Sequence, residues 1–364
     1  MLHVVQVCPE FPYHGGVERH VLELSRCLRD RQIDVTVAAS NPSGRYPREE
    51  SYENIKVVRF NSWNPNESYY FAPSMIAFLA GIRGSRTVIH SHNYQAFPAL
   101  IAALAKHWNG LPLLFTPHYH PFGGTAFRSC LKILYRPLGR LMFDVSDAVI
   151  ALSEYERSTL ESAFKLDSSR VRVIPAGMRT VPTGRRQPTN NILYVGRLER
   201  YKGVSYLIDC LPSVLQRVST VTLTIVGSGP DEERLRSAVS RKGLSPCVSF
   251  LGNVSSSRLQ ELILTAGLVA MLSEYEAYSL IIGEALQRGV PVIATRVGPI
   301  PEIYGKDPKC VLLDYPPRID ELAKRIAGIL SGEPLGRGDR ESNLARFSWV
   351  EVTDRIVDVY EDLV

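Results

Sequence analysis

Two carboxylates late in the chain, Glu276 and Glu284, bracket the apolar run Leu280-Ile281-Ile282 eight positions apart. Glycoside hydrolases hold their two carboxyl groups about 5 to 9.5 Å apart, across one glycosidic bond. On a single helix, eight residues advance roughly 12 Å and turn through about 800°, which leaves the two side chains within about 80° of each other. That span is long for one glycosidic bond and better suits holding two ends of an elongated ligand. The amides after Glu276 would form a helix N-terminus, where phosphate binds readily. Sugar hydroxyls at one glutamate, a diphosphate at the amides and a ribose at the other together describe a nucleotide sugar. The competing reading is a capping box, with Ser273 as N-cap and Glu276 three residues on. The first half holds its own copy, Ser153-Glu154-Tyr155-Glu156, which follows a strand and opens a helix. Eight residues beyond Glu156 stands Phe164, not a carboxylate. Capping accounts for what the copies share and leaves Glu284 unexplained.

Other residues with chemistry to offer sit where strands end. Gly15 and Gly16 lie between the first strand and the first helix, where the missing Cβ lets backbone amides approach a phosphate. The loop from Cys8 is too long for a GxGxxG dinucleotide turn, which disfavours an NAD-dependent dehydrogenase. Arg197 and Lys202 follow the strand ILYVG. Cations fixed there would offset negative charge that develops in a transition state. His118 and His120 end the stretch FTPHYHP, and His90 and His92 lie in IHSHN. In GGTAFRSCLKILYRPLGRLMF, Arg128, Lys132, Arg136 and Arg140 recur every four residues, with leucines elsewhere on the turn. A basic amphipathic helix of this kind can rest on an anionic membrane, although Pro137 predicts a kink or break. YYFAPSMIAFLAGIRGSR, with Arg83 and Arg86, is a second segment of this kind.

The elements that must position these groups alternate. Apolar strands LHVVQV, DVTVAAS, NIKVVRF, TVIHSHN, PLLFTPH, DAVIALS and RVRVIPAG run through the first half, and ILYVG, VTLTIVG, VSFLG, LVAMLS, VPVIAT and CVLLD through the second. Helical stretches lie between most of them. In the first, Val17, Val21, Leu24 and Leu28 fall on one face. Continuous Val/Ile/Leu strands separated by helices predict parallel sheets covered on both sides. GMRTVPTGRRQPTN, rich in polar residues, Pro and Gly, reads as a linker between two doubly wound domains. At 364 residues two domains are also the natural prior. The first 180 residues hold 20 Lys and Arg against 15 Asp and Glu, while the rest hold 22 of each. A mildly basic first half suits anionic partners such as nucleotides or lipid headgroups, and no zinc-finger, RRM or KH pattern argues for nucleic acid. The N-terminus shows no signal-peptide pattern, no run approaches the roughly 20 residues of a membrane span, and the six cysteines show no CxxC spacing. The expectation is a cytoplasmic protein with reduced thiols, at most peripheral on the inner face of the cell membrane.

Taken in order along nearly the whole chain, these motifs resemble those of the retaining family 4 glycosyltransferases. PYHGGVERHV is similar to the family's glycine-rich loop, LLFTPHYHP to its strand ending in histidine, GRLERYKG to its arginine-lysine loop, and Glu276 to Glu284 to its E-x7-E signature. FSWVEVTDRIVDVYEDL resembles its C-terminal crossing helix. The resemblance implies an α/β, GT-B architecture of two Rossmann-like domains facing across a cleft. Residues 1–180 plus a helix at about 348–364 would form the acceptor domain and 181–347 the donor domain. It implies that Arg197 and Lys202 bind the donor diphosphate and that His118 and Glu276 contact the transferred sugar. Glu284 would hold the ribose, backbone at Tyr278, Ser279 and Leu280 the sugar and phosphates, and Asn253 and Val254 the nucleobase. The implied reaction moves a sugar from a UDP- or GDP-activated donor to a sugar or lipid-linked acceptor, with retention and without a metal or other cofactor. A nucleotide-sugar epimerase or a non-catalytic sensor of the same architecture is the alternative. The chain departs from the family's usual E-G-F-G-L by reading Glu276-Ala277-Tyr278-Ser279-Leu280, which leaves the fit of the donor sugar open.

Overall fold

A computed structural model of the chain describes residues 1–12, 15–64, 70–119, 126–178, 186–335 and 347–364, and of residues 126–134 the backbone alone. The polypeptide divides into two units, Met1–Gly177 with Arg346–Val364, and Met178–Ala345.

The first unit is built on eight strands: β1 (His3–Cys8), β2 (Asp34–Asn41), β3 (Glu49–Tyr52), β4 (Ile55–Asn61), β5 (Thr87–His92), β6 (Leu113–Thr116), β7 (Ala148–Ala151) and β8 (Val171–Val173). Their order across the sheet is β3-β4-β2-β1-β5-β6-β7-β8. All neighbours are parallel except β3 and β4. The antiparallel edge strand β3 departs from the all-parallel expectation. Its residues Glu-Glu-Ser-Tyr contain no apolar run, so only pairing with β4 reveals it as a strand. The central strands β1 and β5 are buried almost throughout because helices cover both faces.

The helices of this unit are α1 (Gly16–Asp30), α2 (Met75–Gly81), α3 (Phe97–Asn109), α4 (Ala126–Val145) and α5 (Glu154–Phe164). The boundaries of α3 follow from its chemistry. Pro98 occupies the first turn, where no amide donor is needed, and Gly110 ends the helix in the left-handed conformation at φ 64°. α4 runs unbroken through Pro137, contrary to the kink or break read from the sequence. One lost backbone bond in a 20-residue helix is outweighed by the packing of Tyr135, Met142 and Phe143 into the core.

The second unit holds β9 (Asn191–Val195), β10 (Thr222–Val226), β11 (Val248–Gly252), β12 (Leu268–Met271), β13 (Val292–Thr295) and β14 (Cys310–Leu313), all parallel, in the order β11-β10-β9-β12-β13-β14. Between and after them come α6 (Val204–Leu215), α7 (Glu232–Arg241), α8 (Ser256–Thr265), α9 (Leu280–Gln287), α10 (Ile300–Tyr304) and α11 (Ile319–Leu330). The last helix, α12 (Trp349–Leu363), belongs to the first unit and packs on α1. Arg31 Nε donates to Asp354 Oδ1 at 2.7 Å, Arg355 Nη2 donates to the Val173 carbonyl at 2.6 Å, and Trp349 fills the space that Gly177 leaves by lacking a Cβ.

Each sheet has one place where the chain reverses its direction of winding. In the first it is the β1/β5 pair, and in the second the β9/β12 pair. Open α/β sheets accept ligands beyond the carboxyl ends of strands at such switch points.

Candidate functional site

In the second unit the switch point carries an ion pair. Lys202 closes a short 3-10 turn after β9, and Glu276 lies in the loop after β12. Lys202 Nζ and Glu276 Oε1 are 2.7 Å apart, with both side chains largely buried. The Ser273 hydroxyl donates to the same carboxylate oxygen at 2.7 Å. Further contacts bind the two loops together. The Glu274 amide donates to the Tyr201 carbonyl at 2.7 Å, and the Tyr201 and Tyr275 rings stack at 4.2 Å and 9°. Gly203, at φ 69°, lies so close to Leu272 that a Cβ would stand 2.1 Å from its carbonyl oxygen. A glycine is therefore required twice over there, once for its dihedral and once for the close approach.

Glu276 is not on a helix, which corrects the ruler geometry read from the sequence. The chain from Ser273 to Ser279 is irregular, and α9 begins only at Leu280. The two copies of Ser-Glu-Tyr-Glu therefore fold differently. Ser153 caps α5, its Oγ accepting from the Glu156 amide at 3.0 Å. Ser273 instead uses its hydroxyl on Glu276, which Lys202 draws into the ion pair. Glu284 stands in the second turn of α9 and is buried, so the two glutamates occupy different elements.

Ser279 precedes α9 in the left-handed conformation, φ 62° and ψ 68°. This is the position at which the family motif commonly has its second glycine. Serine adopts the same backbone at a cost of about 1 to 2 kcal/mol. Its carbonyl is fixed by the buried Tyr304 hydroxyl at 3.2 Å, and Tyr278 beside it is buried. The amides that open α9 therefore form an N-terminus despite the substitution. Arg197 is half exposed and pairs with Glu199 at 3.3 Å, and the Tyr194 hydroxyl donates to its carbonyl at 2.8 Å. Asn253 and Val254 follow the edge strand β11, with Asn253 exposed.

In the first unit, Gly15 and Gly16 introduce α1. Gly16 has open space where a Cβ would be, whereas a Cβ on Gly15 would lie 2.6 Å from Glu18 Oε2. The Glu18 carboxyl turns back on the helix start. Burial pushes its pKa up to about 7, against the opposing pull of hydrogen bonds from the Glu18 and Gly15 amides. The first turn of α1 thus carries its own internal acid, which the glycine pattern alone does not disclose.

His118 follows β6 at φ 48°, an uncommon conformation for a residue with a side chain. The loop is held by Glu156, whose Oε1 accepts from the Tyr119 amide at 2.5 Å and whose Oε2 accepts from the Leu152 amide at 2.7 Å. Burial raises the pKa of this carboxyl to about 7. The residue that reads as a plain helix cap thus ties the histidine loop to the start of α5. His118 belongs to a group with His20, His90 and His92, all driven toward the neutral form by burial first and then, for His90, His92 and His118, by repulsion from other histidines of the group, His20 acting on all three. His20 falls four residues before Leu24 on the apolar face of α1, a spacing that could have singled it out.

Of the four basic residues on α4, Arg136 donates to the Ala163 carbonyl and Arg140 pairs with Asp144 at 3.2 Å, while Leu138 and Leu141 are exposed. The side chains of Arg128 and Lys132, and all of His120, lie outside the described residues. In the second apolar-basic segment, Arg83 caps carbonyls of its own turn and Arg86 pairs with Glu361 on α12. Among the described residues no helix is long and apolar enough to cross a membrane, and no group of three or more His, Cys, Asp or Glu is placed to hold a metal ion.

Residues 14–181 match the family model described as Glycosyltransferase Family 4, and residues 181–344 the one described as Glycosyl transferases group 1. The chain is 28% identical over 371 residues to a phosphatidylinositol N-acetylglucosaminyltransferase subunit of Arabidopsis thaliana, spanning 96% of this chain and 79% of that one. It is 27% identical over 378 residues to GDP-mannose:cellobiosyl-diphosphopolyprenol alpha-mannosyltransferase of Xanthomonas oryzae pv. oryzae (strain PXO99A), spanning 99% and 97%. Among solved structures, sucrose-phosphate synthase from Thermosynechococcus elongatus is similar at TM-score 0.80 and 20% identity, over 100% of this chain and 99% of that one. HepE from Anabaena, in complex with UDP and glucose, is similar at TM-score 0.75 and 18% identity, over the whole of both chains.

Proposed function

The chain belongs to the family 4 glycosyltransferases of GT-B fold, and from that premise we propose a retaining transfer of a sugar from a nucleoside-diphosphate donor to an acceptor hydroxyl. The observation that carries the reading is the Lys202–Glu276 pair at 2.7 Å, set at the β9/β12 switch point beside the N-terminus of α9. A cation, a carboxylate and the leading amides of a helix are the three groups a sugar diphosphate needs: charge for the phosphates, an acceptor for sugar hydroxyls, and oriented N–H donors.

In the reaction, the bond from the anomeric carbon to the diphosphate oxygen breaks. Lys202, Arg197 and the α9 amides at Leu280 and beyond face the negative charge that this releases, and they are in place before it develops. Glu276 receives hydroxyls of the transferred sugar once the donor draws Lys202 toward the phosphates. Glu284 receives the ribose, Asn253 and Val254 border the base, and backbone at Tyr278 and Ser279 lines the sugar. The acceptor oxygen attacks from the face the diphosphate is leaving, and its proton passes to a diphosphate oxygen, which balances the step without an enzyme base. These groups supply the positive potential, so the reaction as proposed uses no metal or other cofactor. In the first unit, Gly15 and Gly16 offer amides to an anion in place of the Glu18 carboxyl, and His118, neutral and with its Nε2 enclosed, offers a hydrogen bond to a substrate hydroxyl.

The names of two relatives specify a phosphatidylinositol substrate and a diphosphopolyprenol substrate. We infer a lipid-linked acceptor for this chain as well, reached by contact of α4 with an anionic membrane surface through Arg128, Lys132, Arg136 and Arg140. This places the protein at the inner face of the cell membrane as a peripheral protein. Thermal stabilisation across UDP-, GDP- and ADP-sugars tests the donor. One nucleotide sugar should raise the melting temperature of the wild type and not of Glu284→Ala. No response to any of them would sink the reading.

A further inference from the structure

The imidazole group of the first unit contains more chemistry than His118 uses. His90 and His92 project from β5, His118 follows β6, and His20 comes from α1. The Gln6 amide sets the hydrogen-bond directions. Gln6 Nε2 donates to the Tyr360 hydroxyl at 3.3 Å, so Tyr360 donates to His90 Nδ1 at 2.6 Å, and His90 Nε2 donates to Thr116 Oγ1 at 2.8 Å. The other end of the same amide, Gln6 Oε1, accepts from His92 Nε2 at 2.6 Å. His92 therefore carries its proton on Nε2 and presents a lone pair on Nδ1.

That lone pair has no hydrogen-bond partner among the described residues, and neither has His20 Nδ1 or His118 Nε2. The three rings form a near-equilateral triangle, with centroids 5.3, 5.7 and 5.8 Å apart. Buried polar atoms almost always have a hydrogen-bond partner, so three such nitrogens together suit a small polar group. Gln6 on β1 and His92 on β5 flank the switch point of this sheet, with His118 at the end of the next strand. The chemistry of the site narrows the ligand. A lone pair on neutral His92 repels phosphate oxygens, and the described side chains do not form a metal site. A hydroxyl, which donates to one nitrogen and accepts from another, matches it.

We propose that His92 is a further substrate-contacting residue, its Nδ1 accepting a hydrogen bond from a sugar or polyol hydroxyl held between it and the rings of His20 and His118. Gln6 and Tyr360 are its positioning residues, because they set the tautomer. The proposal rests on the transferase reading and adds to it a contact from β5. The hydroxyl can belong to the transferred sugar or to the acceptor, and the experiment separates these.

Two substitutions divide the imidazole by position. His92→Gln keeps a polar group near Nε2 and the bond to Gln6 but removes the group at Nδ1, whereas His92→Asn does the reverse. Binding of UDP, GDP, UDP-glucose, UDP-N-acetylglucosamine and GDP-mannose is measured for each, followed by release of nucleoside diphosphate on adding phosphatidylinositol vesicles or a diphosphopolyprenol-linked sugar. If the hydroxyl is the donor's, His92→Gln weakens the nucleotide sugar about tenfold and leaves the bare nucleotide unchanged, and His92→Asn restores most of the loss. If it is the acceptor's, donor binding is unchanged and the acceptor KM rises about tenfold in His92→Gln alone. Wild-type behaviour of His92→Gln in both arms, or equal losses in the two variants, would overturn the proposal. A wild type that binds no nucleotide sugar would instead overturn the transferase reading. Should either variant fold poorly, the wild-type 15N imidazole spectrum decides. His92 Nδ1 should give an unprotonated-type signal that shifts on adding the bound nucleotide sugar or the acceptor vesicles, and a protonated or unmoved signal would overturn the proposal.

Discussion

Acidification should destabilise the first unit in two stages, and the cause can be assigned to particular groups. His20 is buried and its pKa is lowered to about 4, while His90, His92 and His118 are lowered well below 6.5. A folded pKa depressed in this way leaves stability intact above the unfolded value of 6.5 and removes it as pH falls, because the unfolded chain takes up protons the fold refuses. A histidine that stays neutral in the fold throughout costs about 1.4 kcal/mol between pH 7.5 and 5.5, which is the ceiling for each of the four. Glu18 and Glu156 act in the opposite sense. Their pKa is raised from 4.5 to about 7, so the fold binds protons before the unfolded chain does, and each adds about 1.8 kcal/mol over the same interval. From pH 7.5 to 6.5 these four histidines and two glutamates nearly cancel, so the cluster and its acids should leave stability almost flat there. From 6.5 to 5.5 the net is a loss of at most about 2 kcal/mol, and by pH 4.5 a further loss of at most about 3 kcal/mol follows.

The distribution of residues makes this measurable one unit at a time. All three tryptophans, Trp63, Trp108 and Trp349, and all eight histidines lie in the first unit. Urea unfolding followed by tryptophan fluorescence at pH 7.5, 6.5, 5.5 and 4.5 therefore reports that unit alone. Glu156→Gln removes one of the compensating acids and should tilt the flat region by about 0.7 kcal/mol between pH 7.5 and 6.5. A wild-type unfolding free energy that is constant down to pH 4.5 would refute the buried, neutral histidine cluster. So would a steep fall already complete at pH 6.5.

Lys202→Met should cost the second unit about 3 kcal/mol by leaving Glu276 buried without its cation, and adding Glu276→Gln should recover most of it, as a double-mutant cycle in urea would show. Both variants should lose turnover whether or not they are stable. Ser279→Gly should raise stability by about 1 kcal/mol and leave nucleotide-sugar binding intact, because the site already has a glycine-type backbone. Gly243→Ala, at φ 67° with open space around it, should cost about 1 to 2 kcal/mol; Gly203→Ala, at φ 69° but against the Leu272 carbonyl, should cost more than about 3 kcal/mol and abolish turnover by displacing Lys202. Thermal melts of the two variants make the comparison. The protein should co-sediment with anionic phospholipid vesicles and not with neutral ones, and Leu138→Glu with Leu141→Glu should abolish this; absence of binding to both vesicle types would dispose of the membrane contact.

What the sequence discloses and what it conceals divide along the line between local and tertiary causes. Every parallel strand could be read, the central ones because a strand covered on both faces is rich in apolar residues. The polar edge strand β3 could not, since only pairing with β4 makes it a strand. The twin tetrapeptides show the same division at the site. Glu156, Leu160 and Phe164 follow at four-residue intervals, and so do Glu276, Leu280 and Glu284, so helical periodicity is equal in both. What differs is the partner brought by distant parts of the chain. The first copy meets the backbone amides of Tyr119 and Leu152, which a helix-start carboxylate can satisfy while the helix forms around it. The second meets the ammonium of Lys202 and lies outside the helix, and α9 begins only at Leu280. That displacement has a functional consequence. A helix beginning at Glu274 would have used the amides of residues 277 to 280 in its own turns, whereas one beginning at Leu280, with the Ile282 amide bonded to the Ser279 carbonyl, leaves those of Leu280 and Ile281 outside its ladder. On the proposed reading the ion pair therefore shapes the anion site. Glu276→Gln should consequently weaken the binding of a bare nucleoside diphosphate, although it removes a negative charge, and tighter binding in that variant would show that the pair only blocks the site.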